Sequence, residues 1–283
     1  MDFWKEFSAV KVLGRGQHGS VWLVRDAAAR PYALKLFRER PANTMEFQVL
    51  SALNERCDWF PRVHGLYRVP APPIEEEEAA WGAAAAEQEN LRYAVLMQQL
   101  AGGPADAYVL SRDDVHEVAR QVLCQLACMH AAGFLHRDIK PANLVIEDAD
   151  PLRAYLIDFG EACAVRRPSS TQAQVVLCES AAGDLAYAAP ELYPPPPRAR
   201  PSARSDMWSL GVALLGLLEP ELLAHLRFGI GNLQQLKQHR ERVAEYAATR
   251  LDPADPLDAA VQAMLRAEPS ERPTALQALA ALE

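Results

Sequence analysis

The chain lacks the features that mark several whole classes of protein. Its five cysteines include no CxxC pair. Neither a zinc site nor a disulfide framework is therefore expected, and a reducing, cytoplasmic compartment follows as the expectation. Cys124 and Cys128, four apart on a helical pattern, are expected to be core residues. The longest apolar runs, such as Leu210 to Leu218, are too short to span a bilayer. Met1-Asp2-Phe3-Trp4-Lys5-Glu6 has no basic-then-apolar leader pattern. Positive charge is in deficit: 29 Lys and Arg against 37 Asp and Glu leave a net charge of −8. That balance argues against nucleic acid or an anionic lipid surface as the main partner.

What is present suffices for a substantial core. Half of the 283 residues are hydrophobic, enough for one large domain or for two lobes around a cleft. The most informative stretch is His136-Arg137-Asp138-Ile139-Lys140-Pro141-Ala142-Asn143. Asp138 offers a carboxylate that can take a proton from a hydroxyl. Lys140 offers a cation for a phosphate, and Asn143 an amide oxygen suited to Mg²⁺. Phosphoryl transfer needs positioning and charge neutralisation more than covalent chemistry, and this loop carries groups for both. A charged turn after a helix is the bland alternative, but it does not account for the order of these residues.

Upstream, residues 8–37 read as three strands. The glycines of Gly14-Arg15-Gly16-Gln17-His18-Gly19 fall between the first two, because Val21-Trp22-Leu23-Val24 is a β-branched and aromatic run. They are expected in a hairpin rather than at a helix start, with backbone N–H groups open to phosphates and His18 exposed at the tip. Lys35 lies on the third strand, where the bland reading is a snorkelling lysine. A helix is expected over Thr44–Asn54, with Phe47, Leu50 and Leu53 on one face. Within it Glu46 has two possible roles: an ion pair with Lys35, or a capping box with Asn43. Residues 70–90 carry Glu75-Glu76-Glu77-Glu78 and read as a solvated insert. Strand pattern resumes at Arg92–Met97. A long helix capped by Ser111 or Asp113 runs to Ala132, with Val115, Val118, Val122, Leu126 and Met129 on one face and Gly133 ending it. Short strands follow at Leu144–Ile146 and Tyr155–Ile157. Then come Asp158-Phe159-Gly160, Ala188-Ala189-Pro190-Glu191, the run Pro194–Pro197, and helices near Asn232–Arg250 and Leu257–Ala267.

In this order and spacing, the motifs resemble those of the eukaryotic-type protein kinases, over nearly the whole chain. The resemblance implies an α+β bilobal fold. A small antiparallel sheet with one helix would form the N-lobe (about 1–97). A hinge (98–103) would lead to a larger, mainly helical C-lobe (104–283), the whole being one kinase domain. It implies ATP and Mg²⁺ as cofactors, with Asp138 as base and Lys140, Lys35 and Glu46 as its catalytic companions. Asn143 and Asp158 would hold the metal. Leu13, Gly14, Gly16, Gly19, Val21, Ala33, Lys35, Met97, Gln98, Leu100 and Leu144 would line the nucleotide site. Met97 would stand as gatekeeper, and the backbone of Gln98 and Leu100 would read the adenine edge. It further implies that Phe159 stacks with Leu50, Leu66 and His136, that Glu191 pairs with Arg272, and that Asp206 holds the catalytic-loop backbone. Lys140 within the loop favours the serine/threonine class.

The expected partner is a protein carrying a Ser or Thr hydroxyl, and the expected state a monomer without a membrane span. A pseudokinase scaffold and a small-molecule phosphotransferase are the alternatives. The second normally lacks the Ala-Pro-Glu element and its Arg. One departure bears on substrate: Asp184 stands where such kinases usually carry Thr, and could pair with Lys140 or repel Asp138. Arg137 before the catalytic Asp suggests a phosphate-switched segment, with Ser169, Ser170, Thr171 and above all Ser180 as candidates. Glu179 or Asp184 could instead supply the negative charge.

Overall fold

The structure is a computed structural model that describes residues 3–16, 19–37, 45–70, 92–147, 150–165, 177–178, 182–193, 200–226, 230 and 232–283. His18, Asn43, Thr44, the acidic run at 75–78, Ser169, Ser170, Thr171, Glu179, Ser180 and Pro194–Pro197 lie outside the described residues. The expectations attached to them lie there too. The chain divides into two compact units, one of residues 1–55 and 61–101, the other of residues 56–60 and 102–283.

In the first unit a short helix α1 (Phe3–Glu6) precedes strands β1 (Phe7–Gly16), β2 (Gly19–Asp26) and β3 (Pro31–Phe37). Helix α2 (Met45–Asn54), β4 (Val63–Val69) and β5 (Arg92–Gln98) complete it. The strands form one antiparallel sheet in the order β1-β2-β3-β5-β4. Period-two alternation divides its faces. Trp22, Val24, Leu34, Leu36, Ala94 and Leu96 are buried with Phe3 of α1 on one side. Cross-strand pairing of Val21 with Lys35, Leu23 with Ala33, and Ala33 with Met97 puts Val21, Ala33, Lys35 and Met97 on the other. The glycine motif sits in the β1–β2 hairpin, with Gly16 paired to Gly19. Gly19 has φ +154°, and a Cβ there would overlap the Leu36 carbonyl. Only glycine lets the hairpin lie this close to β3.

The α2 face differs from expectation. Met45, Glu46, Val49, Leu50 and Leu53 are its buried residues, while Phe47 is only partly covered. The stripe is turned so that Glu46 points inward. Strand β4 had no counterpart in the sequence reading.

The second unit contains β6 (Gly103–Pro104), α3 (Arg112–Ala131), β7 (Phe134–Leu135), β8 (Leu144–Glu147), β9 (Arg153–Leu156) and β10 (Cys163–Ala164). Helices α4 (Ala203–Leu218), α5 (Pro220–Leu226), α6 (Leu233–Arg250), α7 (Pro256–Met264) and α8 (Ala275–Leu282) follow. Ser111 caps α3 in a reciprocal box with Asp114. Val115, Val118, Val122, Leu126 and Met129 are all buried, and Gly133 leaves the helix at φ +83°. Helix α4 begins with a box between Ser202 and Ser205 and is buried on almost every side, as a helix apolar all round must be. No helix among the described residues is long and apolar enough to cross a membrane.

The cysteines correct the sequence reading. Cys57 is bonded to Cys128 and Cys163 to Cys178, with Cα–Cα separations of 6.8 and 5.2 Å. Cys124 is free and half-buried. Cys128 is thus half of a cross-link rather than an apolar core residue. The first bond also accounts for the placement of residues 56–60: Cys57 is tied to α3 of the second unit.

Candidate active site

In the first unit, β3 delivers Lys35 to the face that α2 covers. Lys35 Nζ lies 2.6 Å from Glu46 Oε2, with both side chains almost fully buried. This is the ion pair expected of Glu46; the capping alternative with Asn43 lies outside the described residues. A carboxylate this buried needs such a partner. Of the nucleotide candidates here, Ala33 is buried, Val21 and Met97 are half-buried beside it, and Leu13 is 44% exposed. The Gln98 N–H donates to the Arg62 carbonyl at 2.7 Å, so it is not the group that reads a base.

In the second unit, β7 runs straight into the His136–Asn143 loop. Asp206, near the start of α4, accepts the N–H groups of His136 and Arg137, each at 3.0 Å. Nε2 of His130 lies 2.9 Å from the same carboxylate. Burial alone would raise the Asp206 carboxyl; the His130 bond and the two backbone donors outweigh it and hold it below its ordinary value. His136 is buried. Its Nε2 is 3.1 Å from the Ile157 carbonyl and must carry the proton, while Nδ1 accepts the Asp138 N–H at 3.3 Å. Burial pushes this imidazole below 6.5 and keeps it neutral. Arg137 takes a φ of +68° and donates Nε to the Glu161 carbonyl at 2.6 Å. Burial lowers its guanidinium.

Asp138 is held from three directions. Lys140 Nζ lies 2.9 Å from Oδ2 and 3.1 Å from Oδ1. Asn143 Nδ2 donates to the Asp138 carbonyl at 2.7 Å and to Oδ2 at 2.8 Å. The Asp184 N–H donates to Oδ1 at 3.0 Å. The Asp184 carboxylate does neither thing the sequence suggested: Lys140 pairs with Asp138, and Asp184 Oδ1 accepts the Ala186 N–H at 3.0 Å. Gly183, at φ +81°, packs so tightly on the loop that a Cβ would overlap the Arg137 carbonyl.

Asp158 adopts the left-handed region at φ +61°, which is costly for a non-glycine residue and marks functional sites. Phe159 meets His136 edge-on at 5.1 Å, as expected. Its other aromatic neighbour in the unit is Phe60, 5.8 Å away, which sequence reasoning missed.

The donor chemistry suits Mg²⁺. Both donors of the Asn143 amide side face Asp138, which leaves the amide oxygen as the acceptor, and Asp158 supplies a carboxylate. Magnesium is typically held by one or two such hard oxygens together with phosphate and water. Among the described residues no group of three or more His, Cys, Asp or Glu side chains forms a metal cage.

Behind the loop, Arg272 grips Glu191 through two bonds of 2.8 Å in a buried fork. It also lies over the Trp208 ring at 5.0 Å. Two residues of α6 that carried no motif hold the segment from Ala186 to Tyr193: His239 Nε2 reaches the Ala186 carbonyl at 2.6 Å, and Arg240 the carbonyls of Tyr193 and Ala189 at 3.0 and 3.4 Å.

The protein kinase domain model matches residues 7–282. The serine/threonine-protein kinase RAD53 of Saccharomyces cerevisiae is 26% identical over 300 residues, covering 97% of this chain and 32% of the relative. The maternal embryonic leucine zipper kinase of Danio rerio is 35% identical over 129 residues, covering 44% of this chain and 18% of the relative. The crystal structure of Rad53 1–466 with AMP-PNP matches with a TM-score of 0.68 at 25% identity, covering 98% of this chain and 65% of that one. The chain spans a third or less of the length of these curated relatives. On the match of the family model over residues 7–282, the chain belongs to the protein kinase family.

Proposed function

We propose that this protein transfers the γ-phosphate of ATP to Ser or Thr hydroxyls of proteins in a Mg²⁺-dependent reaction, with Asp138 as the base. The observation that carries the reading is the Asp138 carboxylate, fixed by Lys140, Asn143 and the Asp184 N–H. A carboxylate fixed in this way can take the proton of a substrate hydroxyl as that oxygen bonds to the γ-phosphorus and ADP leaves. Lys140, which pairs with Asp138, would neutralise phosphate charge. Lys35, oriented by Glu46, would contact the α- and β-phosphates. Asn143 and Asp158 would hold magnesium, which would supply neutralisation of phosphate charge. The relatives RAD53 and the leucine zipper kinase, named as kinases, support the reaction class, and the solved Rad53 complex with AMP-PNP supports an ATP-type nucleotide.

The buried Glu191–Arg272 fork favours a protein over a small-molecule acceptor, and the net charge of −8 favours a protein over nucleic acid. We infer a monomer working in the cytoplasm, where ATP is available. The test is incubation with γ-labelled ATP, Mg²⁺ and either generic protein substrates or small alcohols. Label on Ser and Thr of protein is the expected result. Label only on small alcohols would establish the phosphotransferase alternative, and nucleotide binding without transfer the scaffold.

A further inference from the structure

The segment from Asp158 to Asp184 meets the catalytic loop at both of its ends. At the near end Glu161 accepts Arg137 Nε, and Cys163 and Ala164 of β10 pair with Leu135 and Phe134 of β7, the strand that leads into His136. At the far end the Asp184 N–H holds Asp138 Oδ1. The Cys163–Cys178 bond joins the two ends, two residues after Glu161 and six before Asp184. Around it Leu135, Cys163 and Cys178 form one small buried cluster against Ala203. Beside the disulfide, the described contacts that hold residues 177–178 on the stem are the Ala164–Leu177 bridge and the Cys178 N–H to the Ala164 carbonyl at 3.1 Å.

We propose that the Cys163–Cys178 disulfide is a redox-reversible clasp: formed, it keeps both ends of this segment on the catalytic loop; reduced, it releases them and slows phosphoryl transfer. A covalent tie lowers the entropic cost of docking the two ends together, because the intervening loop is already closed. It therefore does by a bond what a phosphate on Arg137 would do by charge. In a reducing compartment such a bond is a transient, signalling one rather than a permanent staple.

The chemistry is a dithiol exchange. A thiolate of a dithiol reductant attacks Cys178 Sγ, the less buried of the pair, and Cys163 leaves as thiolate. The second thiol of the reductant then resolves the mixed disulfide. Two electrons and two protons pass to the protein, which ends with two thiols, while the reductant ends as a disulfide.

The inference rests on the proposed kinase activity, so its test carries a readout that does not. The full chain is compared oxidised and after treatment with dithiothreitol, with the bond mapped by mass spectrometry. Transfer from γ-labelled ATP to a generic protein substrate is measured alongside hydrogen exchange at the Val165, Cys178 and Asp184 amides. Reduction is expected to speed exchange at these amides. It should also lower kcat/KM about tenfold, part of what closing a loop of this length contributes. A Cys57→Ser, Cys128→Ser variant should keep that response, and a Cys163→Ala, Cys178→Ala variant should be slow and insensitive to reductant. Unchanged exchange in the reduced protein, or measurable turnover of the oxidised protein that stays level or rises on reduction, overturns the clasp. Faster exchange without transfer in either state supports the clasp and overturns the kinase reading instead. If the double alanine variant does not fold, the oxidised and reduced wild-type forms still decide the question.

Discussion

Asp184 Oδ1 accepts the backbone N–H of Ala186, while the Asp184 N–H donates to Asp138. One residue therefore caps its own turn with its side chain and steadies the Asp138 carboxylate with its main chain.

Replacing that carboxylate separates its two properties. Asp184→Asn keeps the acceptor and loses the charge, and should retain most of the activity. Asp184→Ala loses the cap, worth about 1 kcal/mol, and should lower kcat/KM by about fivefold. Steady-state kinetics of both variants at one pH checks this. Equal losses in the two would mean that the charge, not the cap, matters.

Asp138→Asn removes the proton acceptor but is nearly isosteric. Phosphoryl transfer should fall by at least ~10²-fold, while nucleotide affinity measured by calorimetry stays close to that of the parent. A variant with parental turnover would remove Asp138 from the role of base.

Asp158→Asn takes away the charged oxygen offered to Mg²⁺, and Asn143→Ala only a neutral one. Mg²⁺-dependent ATP affinity should fall more in the first variant than in the second. Titrating Mg²⁺ at fixed nucleotide distinguishes them, and the reverse order would reassign the ligands.

Arg272→Ala leaves Glu191 buried without its fork. The loss of such a partner costs about 3–5 kcal/mol, so denaturant unfolding followed by tryptophan fluorescence, with Trp208 beside Arg272 as reporter, should move to clearly lower midpoint. A midpoint matching the parent would show that Glu191 finds another donor.

Stability should fall as pH drops below about 6.5. Burial lowers both His136 and His239 from that ordinary value, so between 6.5 and their folded values the unfolded chain binds protons that the folded chain refuses. The carboxylates held low, such as Asp206, add their own loss only below 3.8. Urea midpoints at pH 7.5 and 5.5 test the sign, and greater stability at the lower value would contradict it.

The sequence showed the contacts within its motifs better than the packing around them. The Lys35–Glu46 pair, the Glu191–Arg272 fork and the hold of Asp206 on the His136–Arg137 backbone were legible because each joins residues of the motifs. The face of α2 was misjudged because apolar periodicity cannot register a buried charge. Glu46 turns inward to meet Lys35, and Val49 rather than Phe47 follows it into the core. The disulfides were illegible for a different reason. Their partners are 71 and 15 residues apart, with no local spacing to announce them. His239 and Arg240 were likewise invisible, because each acts on a backbone carbonyl some fifty residues away.

The Cys57–Cys128 bond has a topological consequence. It closes the chain into a ring whose contour includes β4 and β5 of the first unit, although both sulfurs belong to the second. A protease that cuts once between residues 58 and 127 would leave one covalent molecule of unchanged mass, apart from an added water. The cut would become visible only when a thiol separates the two pieces on a gel.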